Sequence, residues 1–167
     1  EQVNERHEFL TTQRDDLLNA KDQLFETMEE MDQEVKLRFS EVFEAIRGQF
    51  KTVFPNMFGG GRAELILTDP DDLLNTGIEI EAQPPGKKLQ SLSLLSGGER
   101  ALTAIALLFS IIRVRPVPFC ILDEVEAALD DANVSRFGHY LSDFEDETQF
   151  IVVTHRKGTM EAADVLY

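Results

Sequence analysis

The chain has 167 residues, of which 43% are hydrophobic, so a single globular domain with a modest core is expected. Its net charge is −15 and its basic residues do not cluster strongly, so this segment alone is not predicted to supply most contacts to DNA. The single cysteine, Cys120, excludes an intrachain disulfide framework and a cysteine-based zinc site, and favours a reducing, cytoplasmic setting. No apolar run approaches the roughly 20 residues of a membrane-spanning helix, and the first residues lack a signal-peptide pattern, so no membrane partner is expected.

The first part of the chain predicts one long helix with a coiled-coil stripe. Apolar residues recur at intervals of seven at Val3, Leu10, Leu17, Leu24 and Met31, and a second such row follows at Met28, Val35 and Val42. A stripe this narrow buries little by itself, so its partner helix must come from elsewhere. We therefore predict a coiled-coil stub over residues 1–38. The alternative is an amphipathic helix that lies on its own domain.

From Phe39 onwards the apolar positions broaden to intervals of three and four, which predicts a helix that packs on a globular core. The globular domain is therefore predicted to cover residues 39–167. Pro55 is predicted to end the helix, because proline lacks an N–H donor and disfavours helix in the residue before it. Two short strands are predicted beyond the following glycine turn, at residues 63–67 and 78–82.

The second half of the chain alternates helix and strand. Helices are predicted at residues 97–112, 131–144 and 159–163, and strands at 117–122, at 150–153 and from 165 onwards. This order indicates an α/β fold with a mixed, largely parallel sheet and flanking helices. The strand at 117–122 is apolar throughout, which is typical of a strand covered on both faces.

A helix start with two glycines is the first candidate site. Ser96 and Glu99 fit a capping box, so one interpretation is a well-capped helix and nothing more. Gly97 and Gly98, however, each cost about 1 kcal/mol relative to alanine within a helix. Bare backbone at the positive end of a helix dipole lets a phosphate approach closely. We therefore predict that this turn binds a phosphate.

Two adjacent carboxylates, Asp123 and Glu124, directly follow the apolar strand. Ligands of parallel sheets bind at the carboxyl ends of the strands, and neighbouring side chains there point in different directions. Asp123 suits Mg²⁺, and Glu124 suits a general base that orients water for phosphoryl transfer. The alternative is an acidic turn after a strand.

Asp130 and His155 lie at two further loop ends. Asp130 directly precedes a predicted helix, and by itself it fits an ordinary N-cap. His155 follows the strand at 150–153, where a lone histidine is more often a structural hydrogen-bonding group. The other motifs favour a catalytic contact for His155 instead.

A phosphate loop is missing from the sequence. The only Gly-Lys pair is Gly86-Lys87, where Glu81 replaces the first glycine of the motif and Lys88 replaces its hydroxyl residue. The chain therefore has a predicted anion-binding helix and a predicted base, but no lysine loop to hold the β- and γ-phosphates.

These segments resemble ATP-binding-cassette ATPases in order and spacing: the signature motif at 95–99, the Walker B motif at 122–124, the D-loop at 128–130 and the switch histidine at His155. Transport members usually have glutamine at the Glu99 position and Pro-Thr or similar after the Walker B glutamate, where this chain has Val125-Glu126-Ala127. Residues 94–108, 85–88 and 154–160 resemble the SMC (structural maintenance of chromosomes) family, the last segment in its bacterial form.

The resemblance implies the C-terminal half of an ATPase head, whose phosphate loop lies in an N-terminal lobe across an antiparallel coiled coil. Two heads would enclose two ATP molecules with Mg²⁺. Asp123, Glu124 and His155 would serve the nucleotide of their own head. Ser96, Gly97, Gly98 and Glu99 would bind the nucleotide of the opposite head, with Asp130 at the dimer contact.

The implied function is ATP hydrolysis that drives chromosome condensation, chromosome segregation and DNA entrapment, in the cytoplasm at the nucleoid. The implied partners are the N-terminal lobe, a second identical head, a kleisin subunit, and DNA through the complete complex, while the chain alone would be inactive. Three alternatives remain: the head of a related coiled-coil DNA-repair ATPase, a transport ATPase fragment, and a non-enzymatic interaction module.

Overall fold

The computed structural model describes residues 2–142 and 148–167. The chain divides into two compact units, Glu1–Ser40 and Glu41–Tyr167. One long helix, α1 (Gln2–Phe58), contributes to both units. The predicted long N-terminal helix is therefore confirmed.

In the first unit, the side chains of the predicted coiled-coil stripe are exposed, among them Val3, Leu10, Leu17, Leu24 and Met31. None of residues 2–40 is buried. The helix in this unit is supported by local ion pairs such as Arg38 Nε to Glu34 Oε1 at 2.6 Å, which are worth only a few tenths of a kcal/mol each. The apolar row thus lies open to solvent along the first unit.

The end of α1 differs from the prediction, because the helix continues through Pro55 to Phe58. Phe54 and Met57 are fully buried, and the rings of Phe54 and Phe58 stack with centroids 4.1 Å apart. A proline inside a helix costs about 3 kcal/mol, whereas burial of each large apolar side chain contributes about 1.5–3 kcal/mol. Core packing therefore outweighs the missing hydrogen bond of Pro55.

The first sheet of the second unit is antiparallel, with strands β1 (Arg62–Leu67), β2 (Ile78–Gln83) and β3 (Gln90–Ser91) in that order. The two predicted strands are confirmed as β1 and β2. Burial alternates along β1, where Ala63 and Leu65 are inside and their neighbours are not. A short 3₁₀ helix (Leu92–Leu94) then leads to α2 (Gly97–Val114).

The rest of the chain forms β4 (Phe119–Asp123), α3 (Asp131–Ser142), β5 (Gln149–Val153) and α4 (Lys157–Met160). Strands β4 and β5 pair in parallel, so the predicted α/β class and the parallel pairing of this half are confirmed. The helix predicted at 131–144 corresponds to α3, and its predicted end at Phe144 lies outside the described residues. The last predicted helix, placed at 159–163, starts earlier and ends earlier as α4.

A strand over residues 165–167 was predicted, and this prediction is wrong. Val165, Leu166 and Tyr167 are all exposed and have no strand assignment. A strand needs a neighbour to satisfy its backbone hydrogen bonds, and no strand of the described residues pairs with this segment.

The prediction that β4 is covered on both faces is also wrong for the described residues. Leu122 is buried, but Phe119 and Ile121 are 57% and 61% exposed. Ile151 and Val153 of β5 are exposed beside them. We call these four side chains the open face. No helix in residues 2–142 and 148–167 is long and apolar enough to cross a membrane.

Candidate functional site

Three predicted site residues lie at the carboxyl ends of β4 and β5, and we call Asp123, Glu124 and His155 the catalytic cluster after their predicted role. The parallel register pairs Asp123 with Val153, so the loops that follow the two strands leave the sheet at the same edge. The backbone N–H of Glu124 continues the ladder by donating to the carbonyl of Val153 at 2.9 Å. The sheet itself therefore brings the two loops together.

The side chains of Glu124 and His155 are in direct contact, with Oε1 and Nε2 2.9 Å apart. Both remain accessible, with side-chain exposures of 50% and 83%. Glu124 also has a φ of 47°, a left-handed conformation that is uncommon outside glycine and costs of order 1 kcal/mol or more. Such a backbone outlier persists only where surrounding contacts hold it, and the N–H of Glu124 is bonded to the carbonyl of Val153.

Asp123 is exposed beside this pair. Among the described residues, no group of three His, Cys, Asp or Glu side chains could hold a metal ion. Mg²⁺ at nucleotide sites is usually bound through one or two carboxylates together with substrate phosphates and water. A single accessible carboxylate such as Asp123 therefore fits Mg²⁺ that arrives with a nucleotide.

The first turn of α2 forms a second group, which we call the signature cluster: Ser96, Gly97, Gly98 and Glu99, with Lys87. The predicted capping box is confirmed, because the Ser96 hydroxyl accepts from Glu99 N–H and the Glu99 carboxylate accepts from Ser96 N–H. The second of these hydrogen bonds measures 3.0 Å. The turn is thus fixed from both sides.

Lys87 gains a role that its position in the sequence did not indicate. Its Nζ lies 2.8 Å from Glu99 Oε1. Hydrogen bonds from Lys87, and then from Ser96, hold the pKa of the Glu99 carboxyl below its usual range. The Glu99 carboxylate is therefore engaged within the chain, and its negative charge would repel a phosphate. Glu99 fits a capping role better than direct phosphate contact.

Gly97 and Gly98 differ in the reason for their lack of a side chain. A Cβ added at Gly98 would lie 2.9 Å from the backbone carbonyl oxygen of Ala128, which is too close without a backbone shift. A Cβ at Gly97 would meet nothing within 4 Å. Packing within the chain therefore explains Gly98, whereas the open backbone of Gly97 remains accessible to a ligand.

Asp130 caps α3, since its Oδ1 accepts from the N–H of Asn133 at 2.8 Å. The interpretation of Asp130 as an N-cap is confirmed. Asp130 also lines a shallow surface groove together with Ser96, Gly98, Glu99 and Arg136. The structure therefore places the predicted D-loop residue Asp130 beside the signature cluster, and the sequence spacing did not show this proximity.

Glu126 was not predicted as a functional residue. It is fully buried, and its Oε1 accepts hydrogen bonds from the hydroxyls of Thr154 and Thr159. Its Oε2 is buried without a hydrogen-bond partner among the described residues. The one sequence signal was a glutamate among small apolar residues at 125–129, which by itself does not distinguish a buried position from an exposed one.

Arg156 makes a second link between the same loops. Its guanidinium donates to the carbonyl of Leu129 at 3.0 Å and to Asp131 Oδ1 at 2.8 Å. The segment that carries His155 is therefore attached to residues 126–131 at two points. This attachment supports the position of an otherwise exposed histidine.

Comparison with known proteins gives a consistent match. Residues 5–167 match the family model described as "RecF/RecN/SMC N terminal domain". The chain is 68% identical over all its 167 residues to the chromosome partition protein Smc of Bacillus subtilis (strain 168), of which it spans 14%. The description of the family model names an N terminal domain, so it does not support the predicted placement in the C-terminal half.

Two solved structures are also similar. One is the Smc head domain with an extended coiled coil bound to the C-terminal domain of ScpA from Pyrococcus furiosus, with a TM-score of 0.77, 41% identity, and coverage of 97% of this chain and 41% of that one. The other is a structure described under ATP-driven dimerization and DNA stimulated activation of SMC ATPases. It matches with a TM-score of 0.72 and 43% identity, and the match covers 77% of this chain and 78% of that chain. The α/β fold and the long helix are thus those of SMC heads, and the chain belongs to the RecF/RecN/SMC family.

Proposed function

We propose that this chain is one lobe of an SMC-type ATPase head, which hydrolyses ATP where two such heads meet. The observation that carries this proposal is the 2.9 Å contact between Glu124 and His155 at the carboxyl ends of two paired parallel strands. This edge is where ligands of parallel sheets bind. A carboxylate and an imidazole there can act on the terminal phosphate of a nucleotide.

In this proposal Glu124 is the general base. Its half-exposed carboxylate can hydrogen-bond an attacking water, orient it and accept its proton. His155, fixed against Glu124, contacts the γ-phosphate from the neighbouring loop. Phosphoryl transfer depends mainly on positioning and electrostatic stabilisation, so the strained turn that aims Glu124 is consistent with this role.

Asp123 is proposed to hold Mg²⁺, directly or through water. The ion would neutralise negative charge on the phosphates. The position of Asp123 at the end of β4, one residue before the base, supports this role because the two carboxylates can serve different parts of one nucleotide.

The signature cluster is proposed to bind the γ-phosphate of the nucleotide held by the opposite head. The Ser96 hydroxyl and the open backbone of Gly97 lie at the positive end of α2, which favours an anion. Glu99 is proposed to act indirectly, by fixing this turn. Asp130, which shares the groove with the signature cluster, is proposed to lie at the contact between heads.

A complementary lobe that carries the phosphate loop is part of the proposal. The chain spans only 14% of its Bacillus relative and contains no phosphate loop. The open face of β4 and β5 leaves four large apolar side chains about half exposed, and burial of the exposed part of each would contribute roughly 1 kcal/mol. We propose that the other lobe covers this face and that the chain alone is inactive.

Residues 1–38 are proposed as the coiled-coil stub and residues 39–167 as the lobe. The exposed apolar row of α1 supports this division, because a heptad row gains stability only when a second helix covers it. The proposed partner is an antiparallel helix from elsewhere in the same protein.

The biological role is proposed from the relatives. The Bacillus relative is named a chromosome partition protein, and the Pyrococcus head is bound to the C-terminal domain of ScpA. The third similar protein is described by ATP-driven dimerization and DNA stimulated activation. We propose that the complete protein forms a homodimer of heads, binds a kleisin subunit and DNA, and acts in chromosome condensation and segregation at the cytoplasmic nucleoid. The acidic charge of −15 assigns the DNA contacts mainly to other parts of the complex.

A coiled-coil DNA-repair ATPase is the second candidate, because the matched family model also names RecF and RecN. Binding of a kleisin fragment separates the two candidates. A head of the SMC type binds the fragment, and a repair-type head does not.

Co-expression with the phosphate-loop lobe of the same protein tests the main proposal. The purified pair should hydrolyse ATP, whereas each lobe alone should not. A folded, stable pair without ATP turnover would contradict the proposal, and the same pair with Glu124→Gln serves as the control for contaminating ATPases.

A further inference from the structure

Glu126 occupies a place between the two loops of the catalytic cluster. It lies two residues after Glu124 and is 0% exposed. Its Oε1 accepts from the hydroxyl of Thr154 and, at 3.2 Å, from the hydroxyl of Thr159. Those threonines stand on either side of His155 in the chain, so one buried oxygen holds both ends of the segment that carries the histidine.

Further contacts make this point rigid. Thr154 Oγ1 also accepts from the N–H of Arg156 at 2.9 Å, and Thr159 lies in α4. Helix α4 packs closely on α3, where a Cβ added at Gly138 would lie 2.9 Å from the Ala162 side chain and 3.2 Å from the Gly158 carbonyl oxygen. A link from Glu126 to Thr159 therefore ties the Glu124 loop to a fixed part of the core.

We propose that Glu126 is a positioning residue, which keeps Glu124 and His155 in catalytic register by tying their two loops together. This inference rests on the proposed ATPase function of the complete head. Among the described residues, the exposed His155 side chain makes its hydrogen-bonding or ionic contact with Glu124. The position of the His155 ring therefore depends on the backbone at Thr154 and beyond.

The contacts of Glu126 do not suggest that it is there for stability. A buried carboxylate with an unpartnered oxygen carries a desolvation cost that its remaining hydrogen bonds offset only in part. A buried hydroxyl and the carboxylate that it bonds can often be replaced together by apolar groups of similar shape with a neutral or stabilising effect, and the part-buried Thr154 hydroxyl keeps the N–H of Arg156 as a partner. Removal of the whole link should therefore leave the fold intact while it releases the two loops.

The test compares three variants of the reconstituted head of two lobes. Glu126→Leu/Thr159→Val removes the link without leaving the buried Thr159 hydroxyl unpaired, and Glu126→Gln keeps an acceptor oxygen in place. The double variant should keep the melting temperature and the ATP affinity of the wild type but lose about 10- to 100-fold in kcat. Glu126→Gln should retain nearly all of kcat, and Glu124→Gln marks the inactive baseline.

Amide hydrogen exchange provides a readout that does not depend on activity. In the double variant, exchange at residues 154–156 should become faster while the global stability stays unchanged. A double variant with wild-type kcat or with unchanged exchange at this segment overturns the inference, as does a Glu126→Gln variant as impaired as the double one. Absence of ATPase in the wild-type head would refute the proposed function instead, and the exchange data would still decide whether Glu126 ties the loops.

Discussion

The catalytic cluster and the signature cluster are built in different ways. The signature cluster is complete within this chain, because Ser96, Glu99 and Lys87 bond one another and fix the turn. The catalytic cluster has one internal contact, between two accessible side chains, and stands at the end of strands whose open face is uncovered.

This difference indicates how each cluster depends on its surroundings. A backbone turn that is fixed in advance can recognise a phosphate delivered by another molecule without refolding, which lowers the entropic cost of binding, while the Ser96 hydroxyl would have to turn its proton from Glu99 Oε2 towards the phosphate. In the proposed function, the catalytic cluster needs a nucleotide held by the other lobe before its residues have anything to act on. Variants of the two clusters should therefore fail at different steps.

The largest expected effect is on hydrolysis. Glu124→Gln should lower ATP turnover of the reconstituted head by about 10²- to 10⁴-fold, because the amide cannot accept the proton of the attacking water. Binding of ATP and formation of the ATP-bridged dimer should persist, as measured by sedimentation. Turnover at the wild-type rate would remove Glu124 from the role of base.

Ser96→Arg should abolish ATP-dependent dimerisation while nucleotide binding to the single head persists. The large side chain would fill the space in front of the open Gly97 backbone, and arginine cannot replace serine as the N-cap. Sedimentation with and without ATP measures the dimer, and circular dichroism controls for loss of α2. An unchanged dimer would show that this turn does not face the partner's nucleotide.

The next largest expected effect is on association with the phosphate-loop lobe, through the open face. Ile121→Asn should weaken association with the phosphate-loop lobe by about tenfold, since burial of the 61% of this side chain that is exposed would contribute about 1–2 kcal/mol. Ile78→Asn is the matched control, because Ile78 is a similarly exposed isoleucine of the antiparallel sheet. Equal lobe affinity of both variants, measured by calorimetry, would contradict the proposed covering of β4 and β5.

The two glycines provide a matched pair with smaller effects. Gly98→Ala should destabilise the chain by about 1–3 kcal/mol, because the new Cβ meets the Ala128 carbonyl. Gly97→Ala should leave the stability equal or raise it by up to about 1 kcal/mol, but should weaken the ATP-bridged dimer. Chemical unfolding and sedimentation measure the two effects. Identical behaviour of both variants would remove the distinction between packing and ligand access.

The smallest effect concerns the acid stability of the signature cluster. The pKa of Glu99 is lower in the folded chain than in the unfolded one, so its contribution to stability is present above the unfolded value of about 4.3 and is lost as the pH falls through the folded value. Lys87→Ala should raise the pKa of Glu99 towards its ordinary range, with Lys88→Ala as the control. NMR titration of the Glu99 carboxyl measures the shift, which high salt should reduce.

Local rules predicted much of the fold and of the candidate site. The capping box at Ser96, the N-cap at Asp130 and the parallel pairing of β4 and β5 were all predicted correctly, because each depends on residues close together in the chain or on helix-strand order. The failures share another cause. Pro55 within α1 and the absent strand at 165–167 depend on which distant surfaces are available for packing.

Amino-acid order by itself predicted most of the helices and strands, the capped turn at Ser96, and the positions of Glu124 and His155 just after two strands. Tertiary structure alone decided that Gly98 is needed for packing and Gly97 is not, that Lys87 fixes Glu99, and that Glu126 ties the two loops. The physical reason is range: propensities and caps act over a few residues, whereas burial and buried hydrogen bonds depend on residues that only the folded chain brings together.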